Sequence, residues 1–285
     1  MNEIYSLLEK SEWITDIGDV NGYKVTIKNN ILYHNNMNFK IMNICEKNNE
    51  LIFNIENNFG DGGGTMSYEY IYWKNNIIYY NIEYLKTLTL NEYLFNEINI
   101  DPNGMEGGTH KEQGEFLSFL AKDKKNILEI GFNAGNSSEY FLKTNKESMI
   151  TSFDIGFFGY NNLGYYFLRG KYNDRIKIIF GDSNITIPNY IKENKNTTFD
   201  LIFIDGGHEY KTVFNDVENC KNLCNKDSII IMDNVDLYKD EDKLPPWEFG
   251  PTKVMKEMLF NKTFFLHGFW RGDDGYAAMA WGNFL

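Results

Sequence analysis

The chain has 285 residues, 42% of them hydrophobic and 16% aromatic, enough for one large core or two modest ones and too much for a disordered or fibrous polypeptide. With 40 acidic against 28 basic residues the formal net charge is -12, which repels phosphate backbones and argues against a nucleic-acid partner. No run approaches the ~20 apolar residues of a membrane span, the N-terminus lacks the basic start and apolar core of a signal peptide, and 3 cysteines are too few for a disulfide framework; the expectation is a soluble, cytoplasmic protein.

Residues 1–104 read as a small β-rich domain. Aromatic and β-branched runs (Tyr23–Ile27, Leu51–Ile55, Tyr68–Trp73, Ile77–Tyr80) are separated by Asn29-Asn30, Asn48-Asn49 and Asn75-Asn76, the turn chemistry of an antiparallel sheet over roughly residues 10–85. A helix is expected at Leu88–Asn96, and Asp101-Pro102-Asn103-Gly104 reads as a linker turn.

From 105 to 285 helical and strand patterns alternate. A helix over Glu112–Ala121 precedes strands at Asn126–Gly131, Met149–Asp154, Arg175–Phe180, Phe199–Asp205 and Ser228–Asp233. Helices fill the gaps, one carrying Tyr210, Val213, Phe214, Val217, Cys220 and Cys224 at near-3.6 spacing. Near-continuous apolar strands between amphipathic helices predict an α/β fold, a doubly wound Rossmann-like parallel sheet covered on both faces. Thr263–Trp270 and Tyr276–Trp281 flank Arg271-Gly272-Asp273-Asp274-Gly275, so the sheet is expected to end in an antiparallel hairpin.

The first βα junction is Leu128-Glu129-Ile130-Gly131-Phe132-Asn133-Ala134-Gly135-Asn136-Ser137-Ser138. Its glycines allow a tight turn and close approach of a ligand, although the spacing is not that of G-x-G-x-x-G. The second strand ends in Asp154, which can accept hydrogen bonds from both hydroxyls of a ribose. The third ends in Gly181-Asp182-Ser183, within reach of an adenine ring. Three strand ends supplying turn, ribose acceptor and base contact make a nucleoside site.

With these motifs the chain, over roughly residues 105–285, resembles the class I S-adenosylmethionine-dependent methyltransferases. Glu112-Gln113-Gly114-Glu115-Phe116-Leu117 followed by Ile127–Gly131 is similar to the small-molecule O-methyltransferases of catechol and caffeoyl-CoA type and their sugar-modifying relatives. The resemblance implies that Glu129, Gly131 and Gly135 hold the methionine part of S-adenosylmethionine, Asp154 the ribose, and Asp182 with Ser183 the adenine. Asn133, where many members have Gly, is counted among the cofactor-binding residues with Ser137 and Asp205.

Strand four ends in Phe203-Ile204-Asp205-Gly206-Gly207-His208 and strand five in Met232-Asp233-Asn234, side by side at the crevice of a doubly wound sheet. Asp205, Asp233 and Asn234 then offer three hard oxygen ligands to a divalent cation such as Mg²⁺, with positions over for water and substrate oxygens. Such an ion acidifies and orients a hydroxyl. His208, three residues after Asp205, is the candidate general base. The Asp-Gly-x-His arrangement with a downstream Asp-Asn pair resembles the metal-dependent O-methyltransferases, especially those acting on sugars.

Plainer roles stand beside these. Asp205-Gly206-Gly207 can close a βα turn, Asp233-Asn234 can cap one, and His208 can merely precede a helix. Cys220 and Cys224 fit a core stripe, and without partner histidines make no zinc site. Phe59-Gly60-Asp61-Gly62-Gly63-Gly64 looks like a phosphate loop but no Gly-Lys-Ser/Thr follows it. Leu244-Pro245-Pro246-Trp247 is similar to the Pro-Pro-aromatic motif of amino-group methyltransferases but follows the wrong strand; there Trp247 and Phe249 either stack on a substrate ring or pack.

The expectation is a divalent-metal-dependent O-methyltransferase whose acceptor is a small-molecule hydroxyl, a sugar, nucleotide-sugar or glycan before a catechol. No nucleic-acid or membrane partner is expected, and a homo-oligomer stays open. A nicotinamide oxidoreductase is disfavoured by the glycine spacing. A non-catalytic binding or assembly protein on the same scaffold remains the other alternative.

Overall fold

A computed structural model describes residues 12–14, 24–28, 31–34, 37–47, 50–58, 65–73, 87–97, 100–102, 105, 108–272 and 277–285. The Phe59–Gly64 loop, the strand expected at Ile77–Tyr80, and residues 103–104 and 273–275 of the two expected turns lie outside them. The chain divides into two compact units, Met1–Pro102 and Asn103–Leu285.

In the first unit six strands follow one another in an antiparallel sheet: β1 (Glu12–Ile14), β2 (Lys24–Lys28), β3 (Ile31–His34), β4 (Met37–Lys47), β5 (Glu50–Asn58) and β6 (Thr65–Trp73). The pairs Lys28↔Ile31, His34↔Met37 and Lys47↔Glu50 each leave two asparagines between them in sequence. Asparagine tolerates the positive φ that two-residue hairpin turns demand. The Asn35-Asn36 pair, and with it the split between β3 and β4, escapes the sequence pattern because Met37–Lys47 is half polar. Where a helix is expected at Leu88–Asn96, a π-helical segment spans Glu92–Glu97. Thr89 and Glu92 cap each other reciprocally at its start, at 2.7 and 3.1 Å.

The second unit is built on a seven-stranded sheet. Its strands are β7 (Asn126–Ile130), β8 (Met149–Asp154), β9 (Ile176–Phe180), β10 (Phe199–Ile204), β11 (Cys224–Asp233), β12 (Phe264–Arg271) and β13 (Ala278–Phe284), in the order β12-β13-β11-β10-β7-β8-β9. The first five pair in parallel. β13 inserts antiparallel between β11 and β12, as the terminal hairpin pattern predicts. Helices α1 (Lys111–Ala121), α2 (Asn136–Thr144), α3 (Gly159–Tyr172), α4 (Ser183–Glu193), α5 (Tyr210–Cys220) and α6 (Pro246–Phe260) complete it.

The central strands read as unbroken apolar runs because both of their faces are buried. Leu128, Ile130, Ile202, Ile204, Ile230 and Met232 meet Val213, Val217 and Cys220 of α5 and Val254, Met255 and Met258 of α6 in one core. Of the intervening residues, Ile127, Leu201 and Ile231 are 0% exposed, and Phe203 meets Phe141 of α2 edge-on at 5.9 Å. Each such side chain contributes about 1.5–3 kcal/mol by leaving water. One assignment is corrected: α5 ends at Cys220, a 3₁₀ turn spans Lys221–Leu223, and Cys224 opens β11. No Gly or Pro separates helix from strand there, and Cys224 falls four residues after Cys220, so helical spacing runs on into the strand.

The strand order reverses between β7 and β10, which opens a crevice at the carboxyl ends of the strands. Gly164 of α3 packs under its rim, where a Cβ would stand 1.8 Å from the carbonyl oxygen of Ala134. The opposing atom is backbone and has no rotamer to yield. Gly164→Ala is expected to cost about 1–3 kcal/mol, the range for overpacking, and to lower the Tm by several degrees, read by thermal melting; an unchanged Tm would mean that the 133–135 loop yields freely.

Candidate active site

Each strand end at the crevice carries a polar group, and the local chain explains how it is held. Gly131 closes β7 with φ +93°, and a Cβ there would lie 1.9 Å from the carbonyl oxygen of Asp205. Only glycine lets β7 and β10 come so close at the switch point. Gly135 precedes α2 at φ +94°, against the Phe132 ring and Leu168. Between them Asn133 adopts φ +51°, a left-handed conformation in which Asn is the usual substitute for Gly. That accounts for the asparagine in this glycine loop.

Asn133 also orients the ribose candidate. Its N–H donates to Asp154 Oδ2 at 2.8 Å, and the N–H of Gly156 donates to Oδ1 at 2.7 Å. Burial raises the proton affinity of Asp154, and these N–H groups pull it back. Asn161 of α3 pins the loop by donating to the Asn133 carbonyl at 2.7 Å.

Glu129 is 0% exposed. It accepts from the hydroxyls of Ser137 (2.5 Å), Ser138 (2.6 Å) and Ser152 (2.5 Å), tying β7 to the first turn of α2 and to β8. Burial pushes its pKa to about 7 against those three bonds. Its influence on the crevice passes through the serines it holds.

At the end of β9, Asp182 is exposed and caps α4, accepting from the Asn184 N–H at 2.9 Å. Ser183 lies next to a group absent from the sequence reading, Asp216 of α5. Asp216 is 0% exposed, and neither carboxylate oxygen has a hydrogen-bond partner of normal geometry among the described residues. One of them would stand 3.4 Å from a Cβ on Gly206. Burial lifts its pKa to about 6, with Ser183 opposing and the Asp182 charge assisting.

The ends of β10 and β11 bring Asp205 and Asp233 together, close enough to share a hydrogen bond. Burial raises the pKa of Asp205 to about 8, helped by the charge of Glu129. Asp233 is pushed well up by burial and then by Asp205, against the N–H of Asn234 and the amide of Gln113. His208 Nε2 lies 3.9 Å from Asp205 Oδ1. A Cβ on Gly250 of α6 would come within 2.1 Å of the His208 carbonyl oxygen, so α6 seats the loop that carries the histidine. Pro246 begins that helix, where proline is favoured, and Trp247 is 45% exposed. Asn234 has φ +57°, a left-handed turn that asparagine suits whatever else it does.

Four carboxylates, Glu129, Asp154, Asp205 and Asp233, raise the cost of negative charge in one crevice. Cationic ligands offset that cost, and the residues fit the sulfonium and ammonium groups of S-adenosylmethionine. Asp205 and Asp233 are hard oxygen donors in contact and fit a divalent cation. Among the described residues no group of three or more His, Cys, Asp or Glu converges as a metal site, so an ion here would rest on the two carboxylates, the Asn234 amide and outside oxygens.

Residues 128–235 match the model of a family described as a methyltransferase domain. No curated protein matches the chain. Among solved structures, the chain resembles an O-methyltransferase from Bacillus cereus in complex with SAH (20% identity, covering 70% of this chain and 95% of that one, TM-score 0.54). It also resembles the O-methyltransferase TomG from Streptomyces achromogenes, involved in tomaymycin synthesis and solved with SAM (16% identity, 71% and 89% covered, TM-score 0.53). At these identities the likeness is one of fold. The match over residues 128–235 and the strand order show a methyltransferase domain with the class I fold, in agreement with the resemblance carried by the sequence. No helix among the described residues is long and apolar enough to cross a membrane.

The buried carboxylate of Asp216 makes a sign-definite prediction. The pKa of Asp216 is about 6 in the folded protein and about 3.9 unfolded, so the native state is favoured by protonation and loses stability as pH rises from about 4 to 6. Asp216→Asn is expected to raise the Tm at pH 7.5, by up to about 3 kcal/mol of stability, with the gain shrinking toward pH 4. Melting curves across that range check it; a gain independent of pH would exclude the carboxylate's charge as the cause.

Proposed function

We propose that the protein is a divalent-metal-dependent O-methyltransferase acting on a hydroxyl of a small molecule, a sugar, nucleotide-sugar or glycan in preference to a catechol. The observation that carries this reading is the contact of Asp205 with Asp233 at the strand ends beside the cofactor loop, with His208 at its edge. A histidine base resembles the sugar-modifying enzymes more closely than the catechol type, which favours the sugar acceptor. The O-methyltransferases reported among its structural relatives support the oxygen acceptor.

S-adenosylmethionine supplies an electrophilic methyl group, and a divalent cation supplies charge that acidifies and orients a hydroxyl. The chain's own residues do the rest. Asp154, oriented by the N–H groups of Asn133 and Gly156, would hold the ribose. The Gly131–Gly135 turn and the first turn of α2 take the methionine end, and Asp182 with Ser183 the adenine. Asp205, Asp233 and Asn234 would hold the cation. His208 would take the proton of the acceptor hydroxyl as that oxygen is methylated. Alignment of the reacting atoms is the main contribution of such a site.

A screen for labelled methyl transfer to sugars, nucleotide-sugars and catechols, with and without Mg²⁺, tests the reading. Turnover on a hydroxyl acceptor is expected, abolished by a chelator and restored by Mg²⁺ or Mn²⁺; full activity after exhaustive chelation would remove the cation from the mechanism. His208→Ala is expected to lower kcat by roughly 10²–10⁴-fold, the usual contribution of a positioned base, with cofactor affinity intact. A normal single-turnover rate in the folded variant would end the assignment of His208 as base.

A further inference from the structure

Gln113 stands outside every role assigned so far. It lies in the first turn of α1, 4% exposed. Its Nε2 donates to Asp233 Oδ1 at 3.0 Å across 120 residues of sequence. Its Oε1 accepts from the His110 N–H at 3.3 Å. An N–H can only donate, so this second bond fixes which end of the amide faces Asp233. The root of the side chain is rigid as well, because Gly114 brings α1 directly against the Tyr140 ring of α2.

We infer that Gln113 is the positioning residue that holds the Asp233 carboxylate in place for a divalent cation, an inference that rests on the cation reading proposed above. One oxygen of Asp233 is anchored by the amide, beside the Asp205 carboxylate. The residue type suits the task. A neutral donor orients a carboxylate without neutralising it, whereas Lys or Arg would compete with the ion and Glu would add a third negative charge. Hydrogen-bond partners of metal ligands fix ligand orientation, and their loss typically weakens metal binding 10–100-fold. The same amide also caps α1, so the test must separate capping from positioning.

Mn²⁺ binding to the full chain, titrated by electron paramagnetic resonance without cofactor or acceptor, separates them with two variants. Gln113→Met keeps length and loses both hydrogen bonds. His110→Pro deletes the capped N–H, at a residue whose φ of -60° is already that of proline, and leaves the amide able to reach Asp233. The expected result is a Kd for Mn²⁺ raised ~10–100-fold in Gln113→Met, with S-adenosylmethionine affinity unchanged by calorimetry. His110→Pro should lower the Tm and bind Mn²⁺ as the wild type does. Wild-type affinity in Gln113→Met, or equal weakening in both variants, overturns the inference while leaving the cation reading in place. Wild-type protein that binds no Mn²⁺ overturns both. Should Gln113→Met not fold, Gln113→Leu is read in the same way.

Discussion

The second unit is organised around the cost of keeping four acids in one crevice. Glu129, Asp154, Asp205 and Asp233 sit where β7, β8, β10 and β11 end, and each has its proton affinity raised by burial. Carboxylates removed from water need compensation, and each receives it from a different source. Three serines surround Glu129, two backbone N–H groups hold Asp154, and the Gln113 amide with the Asn234 N–H holds Asp233. Asp205 is the least provided for, and it lies beside His208. An apo crevice so arranged is stabilised by whatever positive charge binds it, because a ligand that binds only the folded state adds to its stability by mass action.

That arrangement depends on backbone geometry which few residues permit. Gly131 and Gly135 take positive φ, and Asn133 and Asn234 take the left-handed region next to the strand-end acids. Strain of this kind concentrates at functional sites, held in place by the surrounding structure. Here the surroundings are specific. Asn161 pins the Asn133 carbonyl, Gly164 lets α3 press against Ala134, and Gly250 lets α6 press against His208. Beyond β11, Asp236 accepts from the N–H groups of Tyr238 and Lys239 at 3.0 and 3.2 Å and pairs with Arg271 of β12. Lys239 in turn reaches Glu248 of α6 at 3.1 Å. The segment between β11 and α6 is thereby tied to β12 and to α6.

The sequence by itself determined the sheet and its site edge. Strands buried on both faces must be apolar throughout, so β7 to β11 are visible as runs, and the glycines and acids at their ends mark the crevice. The six-stranded sheet of the first unit is legible chiefly through its asparagine pairs, since β4 alternates too weakly to be seen. Sequence spacing fails at Cys220 and Cys224, because no Gly or Pro marks the break and Cys224 keeps the helical interval. What only the tertiary structure decided is the pairing of polar groups across the chain. Gln113 looks like one more polar residue of an amphipathic helix until β11 brings Asp233 to it, and Asp216 looks solvated until α5 packs it against Gly206. Periodicity reports which face of an element is buried. It carries no information about which distant group a buried polar atom will meet, because that contact exists only once the sheet order has set the strand ends side by side.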